Sequence, residues 1–239
     1  AVFEDLGDIS LYSWLKCRRE PEQIEKIYKK VLDIAVMIHT KATANISECP
    51  MLQNRFFDYE HYRWETGYFV ERFVEGVKKV KIKNPKALQD KFHRLASKAD
   101  SFPKTTIHRD FQSQNIMIRK GIPRLIDFQG ARIGLPAYDI ASILWDPYYR
   151  IEDEMRERLL GYYINEMKNH PPIPSLPRGG VGGGGSFNEK TFTETLVLCR
   201  LQRHMQALGA YGFLSSVIGK KYFLKHIPEG LRLLKEDVV

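Results

Sequence analysis

The chain has 239 residues, 43% hydrophobic and 28% charged, an ordinary globular composition that excludes a wholly disordered, collagenous or disulfide-scaffold protein. Lys and Arg outnumber Asp and Glu by 37 to 29, a net charge of +8 that suits anionic ligands without naming one. No run of about 18 apolar residues occurs, so no transmembrane helix is expected, and Cys17, Cys49 and Cys199 lack metal-ligand spacing and read as reduced thiols.

The chain opens Ala1-Val2-Phe3-Glu4-Asp5-Leu6-Gly7, which reads as a short apolar strand running into a turn. No signal-peptide pattern is visible there, and a cytoplasmic setting is expected. Residues 21–42 read as a helix: Pro21 suits a first turn, and Ile24, Ile27, Tyr28, Val31, Leu32, Ala35 and Ile38 form one apolar stripe. His39 falls on that apolar face and reads as a satisfied core histidine. Residues 55–75 are aromatic-rich and read as helical, offering Phe56, Tyr59, Tyr62, Phe69 and Phe73 for burial, with Trp64 and Glu65 in reach of a sugar. The Lys78–Lys83 run reads as a solvated turn or edge. Asn84-Pro85 is an N-cap followed by proline, opening a helix to about residue 101.

The texture changes at 105. Thr105-Thr106-Ile107, Asn115–Ile118 and Arg124–Ile126 are short β-prone runs, the last two separated by the turn signal Lys120-Gly121. Helices are predicted at about 137–146 and 152–168. Residues 171–186 hold ten Pro or Gly in sixteen positions and read as a flexible linker whose G-G-G-G-S end resembles an engineered one. Its Gly180-x-Gly182-x-x-Gly185 match lacks the preceding strand that a phosphate loop needs. Ser186 and Glu189 suggest a capping box, opening a helix through Leu196, Leu201 and Met205, and a last helix covers about 214–237 with a break near Pro228. Arg203, His204 and Tyr211 on the longer helix read as a solvated face. The fold class is α+β, mainly helical, with a small β-hairpin in the middle.

The chemistry concentrates in that hairpin. Residues 108–115 read HRDFQSQN and residues 127–129 read DFQ, which is the H-R-D-x-x-x-x-N pattern followed by D-F-x, on loops at the ends of short strands. Phosphoryl transfer needs a base or orienting group at the attacking hydroxyl and hard metal ligands at the phosphates. Asp110 suits the first role. Asn115, five residues on, and Asp127, on the next strand, suit the second. His108 is the accompanying catalytic-loop candidate, bracing the loop. Turn residues alone would make a lone H-x-D uninformative, but here four positions match in order and in context.

These residues carry a resemblance. Ile107–Ile116 (IHRDFQSQNI), Leu125–Gly134 (LIDFQGARIG) and Pro136–Ser142 (PAYDIAS) are similar to the C-terminal lobe of the aminoglycoside phosphotransferase-like family, over residues 1–170. With Glu4-Asp5-Leu6-Gly7-Asp8 and the Asp-Phe-Gln triplet, the chain most resembles that family's bacterial amino-sugar kinases acting on N-acetylmuramate and N-acetylglucosamine. The resemblance implies a protein-kinase-like C-lobe using ATP and Mg²⁺ to phosphorylate a small-molecule acceptor, with no nucleic-acid or membrane partner. It implies that Asp139 is a buried helix aspartate anchoring the catalytic loop, with an acid favoured by the helix dipole as the plainer reading. It places residues 1–8 as an inter-lobe hinge remnant, with backbone groups of Glu4 and Leu6 contacting adenine, where a frayed terminal strand is the plainer reading. Residues 9–170 are then the lobe core, 171–186 the linker and 187–239 C-terminal helices packing on the lobe.

The sequence also departs from a protein kinase. Gln112 stands two after Asp110 where a Lys would be, Gln129 replaces the Gly after Asp127-Phe128, and the short interval to Asp139 leaves no long activation loop. The N-lobe, with its phosphate-covering loop and Lys–Glu pair, is the implied missing partner, so this fragment alone is expected to be inactive. Two rivals stand beside the small-molecule kinase. One is a catalytically incomplete C-lobe that acts as a binding module; the other is a basic nucleic-acid binder, which rests on charge alone.

Overall fold

A computed structural model describes residues 4–172 and 185–238 of the chain. The linker reading of 171–186 and its glycine motif therefore fall almost wholly outside the described residues.

The described part of the opening segment, residues 4–7, forms no strand. At Gly7, φ is 75° and the N–H donates to Asp5 Oδ1 at 2.8 Å, so a side-chain-capped turn takes the place of a ladder. Sheet contact begins only where Ile118 N–H donates to Ile9 O and Ser10 bridges Met117. Ser10 then caps the short helix α1 (Leu11–Leu15).

Helix α2 (Pro21–Met37) carries the predicted stripe, with Tyr28, Val31, Leu32 and Ala35 fully buried. It continues into a wider π turn at Ile38–Ala42. Helix α3 (Tyr59–Phe69) likewise runs into a π turn at Val70–Glu75. Asn84 caps helix α4 (Pro85–Asp100) through Ala87 N–H, as its Asn-Pro start predicts.

The middle of the chain holds two antiparallel ribbons. Strand β2 (Ile116–Arg119) pairs with β3 (Ile122–Leu125) around Lys120 and Gly121, both at positive φ, the conformation that a two-residue hairpin turn requires. Strand β1 (Thr105–Ile107) pairs with β4 (Arg132–Gly134), a strand the sequence pattern did not reveal because three residues are too few to alternate. The catalytic motif thus spans the link from one ribbon to the other.

Helix α5 (Pro136–Leu144) follows directly and is buried on every side from Ala137 to Leu144, which makes it the central rod of the molecule. Helix α6 (Asp153–Asn169) packs against α2, and α7 (Glu189–Ser216) lies across α3 and α5. Tyr28, Leu32, Phe57, Phe111, Ile140, Leu159, Tyr163, Leu196 and Cys199 join in one core. Where α7 crosses the π turn after α3, a Cβ at Gly212 would sit 2.3 Å from Arg72 O, so only glycine permits that approach.

Two helix ends differ from the sequence reading. Asn188, not Ser186, caps α7 by accepting from Thr191 N–H at 2.9 Å, because it stands two residues closer to the free N–H groups, immediately before the helix. The C-terminal break falls at residues 217–220, where Gly219 has φ 80°. Pro228 does not break a helix; it occupies the first turn of α8 (Ile227–Val238), where its missing N–H is harmless. Among the described residues no helix is long and apolar enough to cross a membrane.

Candidate active site

The loop from His108 to Asn115 is held at both ends by buried carboxylates from α5 and its C-terminus. Asp139 Oδ2 accepts from His108 N–H at 2.7 Å and Oδ1 from Arg109 N–H at 2.8 Å. Those bonds hold Arg109 at φ 76°, a left-handed turn that a non-glycine residue adopts at a cost of about 1–3 kcal/mol. Asp139 itself is fully buried and meets His39 Nε2 at 3.2 Å, whose Nδ1 lies 2.7 Å from Tyr163 Oη. The π turn carrying His39 also presents Thr43 Oγ1 to Thr106 N–H at 2.8 Å. His39 is therefore a satisfied core histidine, and it reaches the loop through Asp139. At the other end Asp146 Oδ2 accepts from Ser113 N–H at 2.9 Å and Oδ1 from Tyr148 N–H at 3.0 Å. Burial raises the Asp146 pKa although these hydrogen bonds oppose the rise. Asp146 escaped the sequence reading, yet it lies seven residues, two helical turns, after Asp139.

The candidate residues converge within this frame. Asn115 Nδ2 donates to Asp110 O at 2.9 Å, and Ile126 N–H donates to Asn115 O at 3.0 Å, so Asp110, Asn115 and the residue before Asp127 are tied together. The Asn115 amide oxygen is left outside that tie. Asp127 is exposed at φ 64°, next to the single turn Phe128–Gly130. A Cβ at Gly130 would lie 2.9 Å from Asp110 Oδ2, so the Asp-Phe-Gln-Gly turn comes directly over the Asp110 carboxylate. His108 is 2% exposed, and its Nε2 lies 3.0 Å from Ile126 O, so the ring faces the β3 exit. Among the described residues no three His, Cys, Asp or Glu side chains gather as a metal cage. A hard cation held by one carboxylate, one amide oxygen, water and phosphates needs no such cage, and Asp127 with Asn115 fits that donor set.

The Glu4 carboxylate pairs with Arg119 Nη1 at 2.6 Å, beside the end of β2.

A second group of buried charges backs the loop from the helical side. Glu65 on α3 is fully buried, and its carboxylate accepts from Tyr138 Oη at 2.9 and 3.0 Å and from Gln202 Nε2 at 2.9 Å. Arg109 Nη2 lies 3.6 Å from the same carboxylate. Burial raises the Glu65 pKa against the pull of Arg109, Gln202 and Arg203. Arg203 donates to Gln112 Oε1 at 3.3 Å, and its guanidinium lies 5.5 Å from the Tyr138 ring centre. Desolvation opposes its charge, but the fields of Tyr138, Asp110 and Glu65 prevail and raise its pKa.

These placements correct two sequence readings. Glu65 reaches no sugar, because it is enclosed; Trp64 beside it is exposed and stacks on Tyr68 at 5.0 Å. Arg203, His204 and Tyr211 form no solvated face, because α7 is enclosed by α3, α5 and α8 and all three side chains are buried.

The profile of the Phosphotransferase enzyme family (APH) matches residues 1–173. The chain belongs to this family. As a member of the phosphotransferase family it is 28% identical over 182 residues to the N-acetylmuramate/N-acetylglucosamine kinase of Neisseria meningitidis serogroup B, covering 75% of this chain and 51% of that protein. The protein of the same name from Pseudomonas putida is 25% identical over 144 residues, covering 60% of this chain and 39% of the relative. The chain thus spans about half the length, or less, of these relatives. Among solved structures, the ADP-bound aminoglycoside phosphotransferase APH(2'')-Ib superposes with a TM-score of 0.55 at 11% identity, over 99% of this chain and 72% of that one. Choline kinase from Cryptosporidium parvum gives 0.54 at 14% identity, over 99% and 70%. At such identities these two likenesses show the fold that this phosphotransferase-family chain shares with them.

Proposed function

We propose that this chain is the catalytic lobe of an ATP- and Mg²⁺-dependent kinase that transfers the γ-phosphoryl group to a hydroxyl of a small molecule, an amino sugar. One observation carries the reading: Asp110 and Asn115 share a loop braced at both ends by Asp139 and Asp146, and the residues flanking Asp127, Ile126 and Gly130, meet that loop at Asn115 O and the Asp110 carboxylate. The acceptor class rests on the kinases of N-acetylmuramate and N-acetylglucosamine that this chain resembles in sequence. The ADP in the aminoglycoside phosphotransferase with the same fold supports an adenine nucleotide as donor.

In this reading Asp110 orients the acceptor hydroxyl and takes its proton as the oxygen attacks phosphorus. Asn115 Oδ1 and Asp127 hold Mg²⁺, which neutralises charge on the phosphate oxygens when bound. His108 positions the loop through Ile126 O rather than touching substrate, and Asp139 fixes the loop backbone. Backbone groups of Glu4 and Leu6 contact the adenine as part of an inter-lobe hinge. Residues 9–170 form the lobe core, and the helices that follow residue 187 a clasp over α3 and α5.

Asp110→Ala in the full-length protein tests this directly. Turnover of N-acetylglucosamine should fall by about 10²–10⁴-fold, the usual contribution of a positioned acid–base group, while Mg·ATP binding persists. Unchanged turnover removes Asp110 from the chemistry. Full-length protein that binds sugar or nucleotide but transfers no phosphate to any sugar, aminoglycoside or choline-like alcohol is a binding module instead.

A further inference from the structure

The buried Arg203 guanidinium lies behind the loop, the half-buried Arg109 belongs to the loop itself, and the Glu65 carboxylate reaches them from α3. Arg203 on α7 is 5% exposed, donates to Gln206 Oε1 at 2.5 Å and to Gln112 Oε1 at 3.3 Å, and lies over the Tyr138 ring. Arg109 lies 5.7 Å from the Phe57 ring centre and 3.6 Å from Glu65 Oε1. Glu65 takes two further donors, Tyr138 Oη and Gln202 Nε2, so its charge is shared among several partners. A buried guanidinium lacking a counter-charge is strongly unfavourable, so Arg203 needs carboxylates around it. Glu65, Asp110 and Asp146 supply them. Gln112 completes the connection: it accepts from Arg203, and its own N–H donates to Asp110 O at 3.0 Å.

We infer that Arg203 is a positioning residue for phosphoryl transfer: it holds the Gln112 side chain, and with it the turn of loop that presents Asp110, while Glu65 partners Arg109 beside it. The inference rests on the kinase reading above and adds a residue from outside both motifs. The physical logic is that of a preorganised site. Positive charge fixed in a water-poor region before reaction costs no reorganisation when anionic phosphate approaches the aspartate. Gln112 turns a distant helix into part of the loop, because its side chain accepts from the α7 cation while its backbone belongs to the loop.

The test uses the full-length protein with Mg·ATP and N-acetylglucosamine, comparing Asp110→Ala, Arg203→Met, Arg203→Lys, Glu65→Gln and the double variant Glu65→Gln/Arg203→Met. Arg203→Met should lower kcat by about 100-fold, comparable with losing one preorganised electrostatic donor, and leave KM for ATP within about twofold. Arg203→Lys keeps the charge and should regain part of kcat. Arg203→Met and Glu65→Gln each unbalance the buried charge and should lower Tm. The double variant is again balanced, so its Tm should recover while its kcat stays low. Recovery of kcat together with Tm in the double variant overturns the inference and leaves Arg203 a packing residue. So does an Arg203→Met enzyme with wild-type kcat while Asp110→Ala is inactive. Wild-type protein that transfers nothing to any acceptor fails the kinase reading itself, and this inference with it.

Discussion

Asp139 performs three tasks with two oxygens: it accepts from two successive backbone N–H groups and from His39. No neutral side chain of its size does the same. In Asp139→Asn, one oxygen becomes an N–H₂ group facing a backbone N–H, and the unsatisfied donor should cost about 1–3 kcal/mol. The loss is expected in urea unfolding as a lowered midpoint with an unchanged slope. Because Arg109 sits at φ 76° only under those bonds, turnover should fall further than the loss of stability explains. At this scale the sequence was informative where function compresses into a few neighbouring positions. Asp110, Asn115 and Asp127 lie within eighteen positions, and their spacing expresses a loop and a hairpin. Glu65, Arg109 and Arg203 could not be read together, because 138 positions separate the first from the last and no local pattern records that they meet.

Elements were legible wherever a single helix or turn decides its own form. The stripe of α2, the Asn84-Pro85 start of α4 and the Lys120-Gly121 turn all stand where the pattern puts them. The exceptions have local causes. Asn188 outcompetes Ser186 as a cap, and proline at 228 reads as a breaker until its place in a first turn is known. The π turns after α2 and α3 carry no sequence signal, yet the first brings His39 to Asp139 and Thr43, just beyond it, to strand β1. The crossing of α7 over the second π turn depends on Gly212. Gly212→Ala places a methyl group against the Arg72 carbonyl and should destabilise by about 1–3 kcal/mol, the usual cost of overpacking. Thermal unfolding reads this as a lowered Tm; an unchanged Tm means α7 shifts freely at that point.

For the molecule as a whole, the C-terminal helices are bound into the body by aromatic packing that includes a titratable ring. His226 is buried against Tyr148 at 4.6 Å, Tyr211 at 6.0 Å and Tyr12 at 6.1 Å. Burial, with Lys225 and Lys16 nearby, lowers its pKa below 6.5 against an opposing hydrogen bond to the Pro147 backbone. Below that value the unfolded chain takes up the proton first, so the stability His226 contributes is full above about pH 6.5 and is lost on acidification. The Tm difference between wild type and His226→Gln should therefore shrink from pH 7 to pH 5. The difference is the proper measure, because buried Glu65 and Asp146, with raised pKa values, push stability the other way. A constant difference removes His226 as the source.

The sequence by itself determined the helical class, the hairpin and the HRDFQSQN and DFQ motifs, because each depends on neighbours within a few turns of chain. Only the tertiary structure decided that Asp139 and Asp146 bracket the His108–Asn115 loop. It alone showed that Glu65 is sealed away from any sugar, and that α7 presents buried Arg203 to Gln112. Those facts depend on which helix faces cover one another across the core. That choice is made by packing a whole chain of apolar surfaces at once, and no short window of residues contains it.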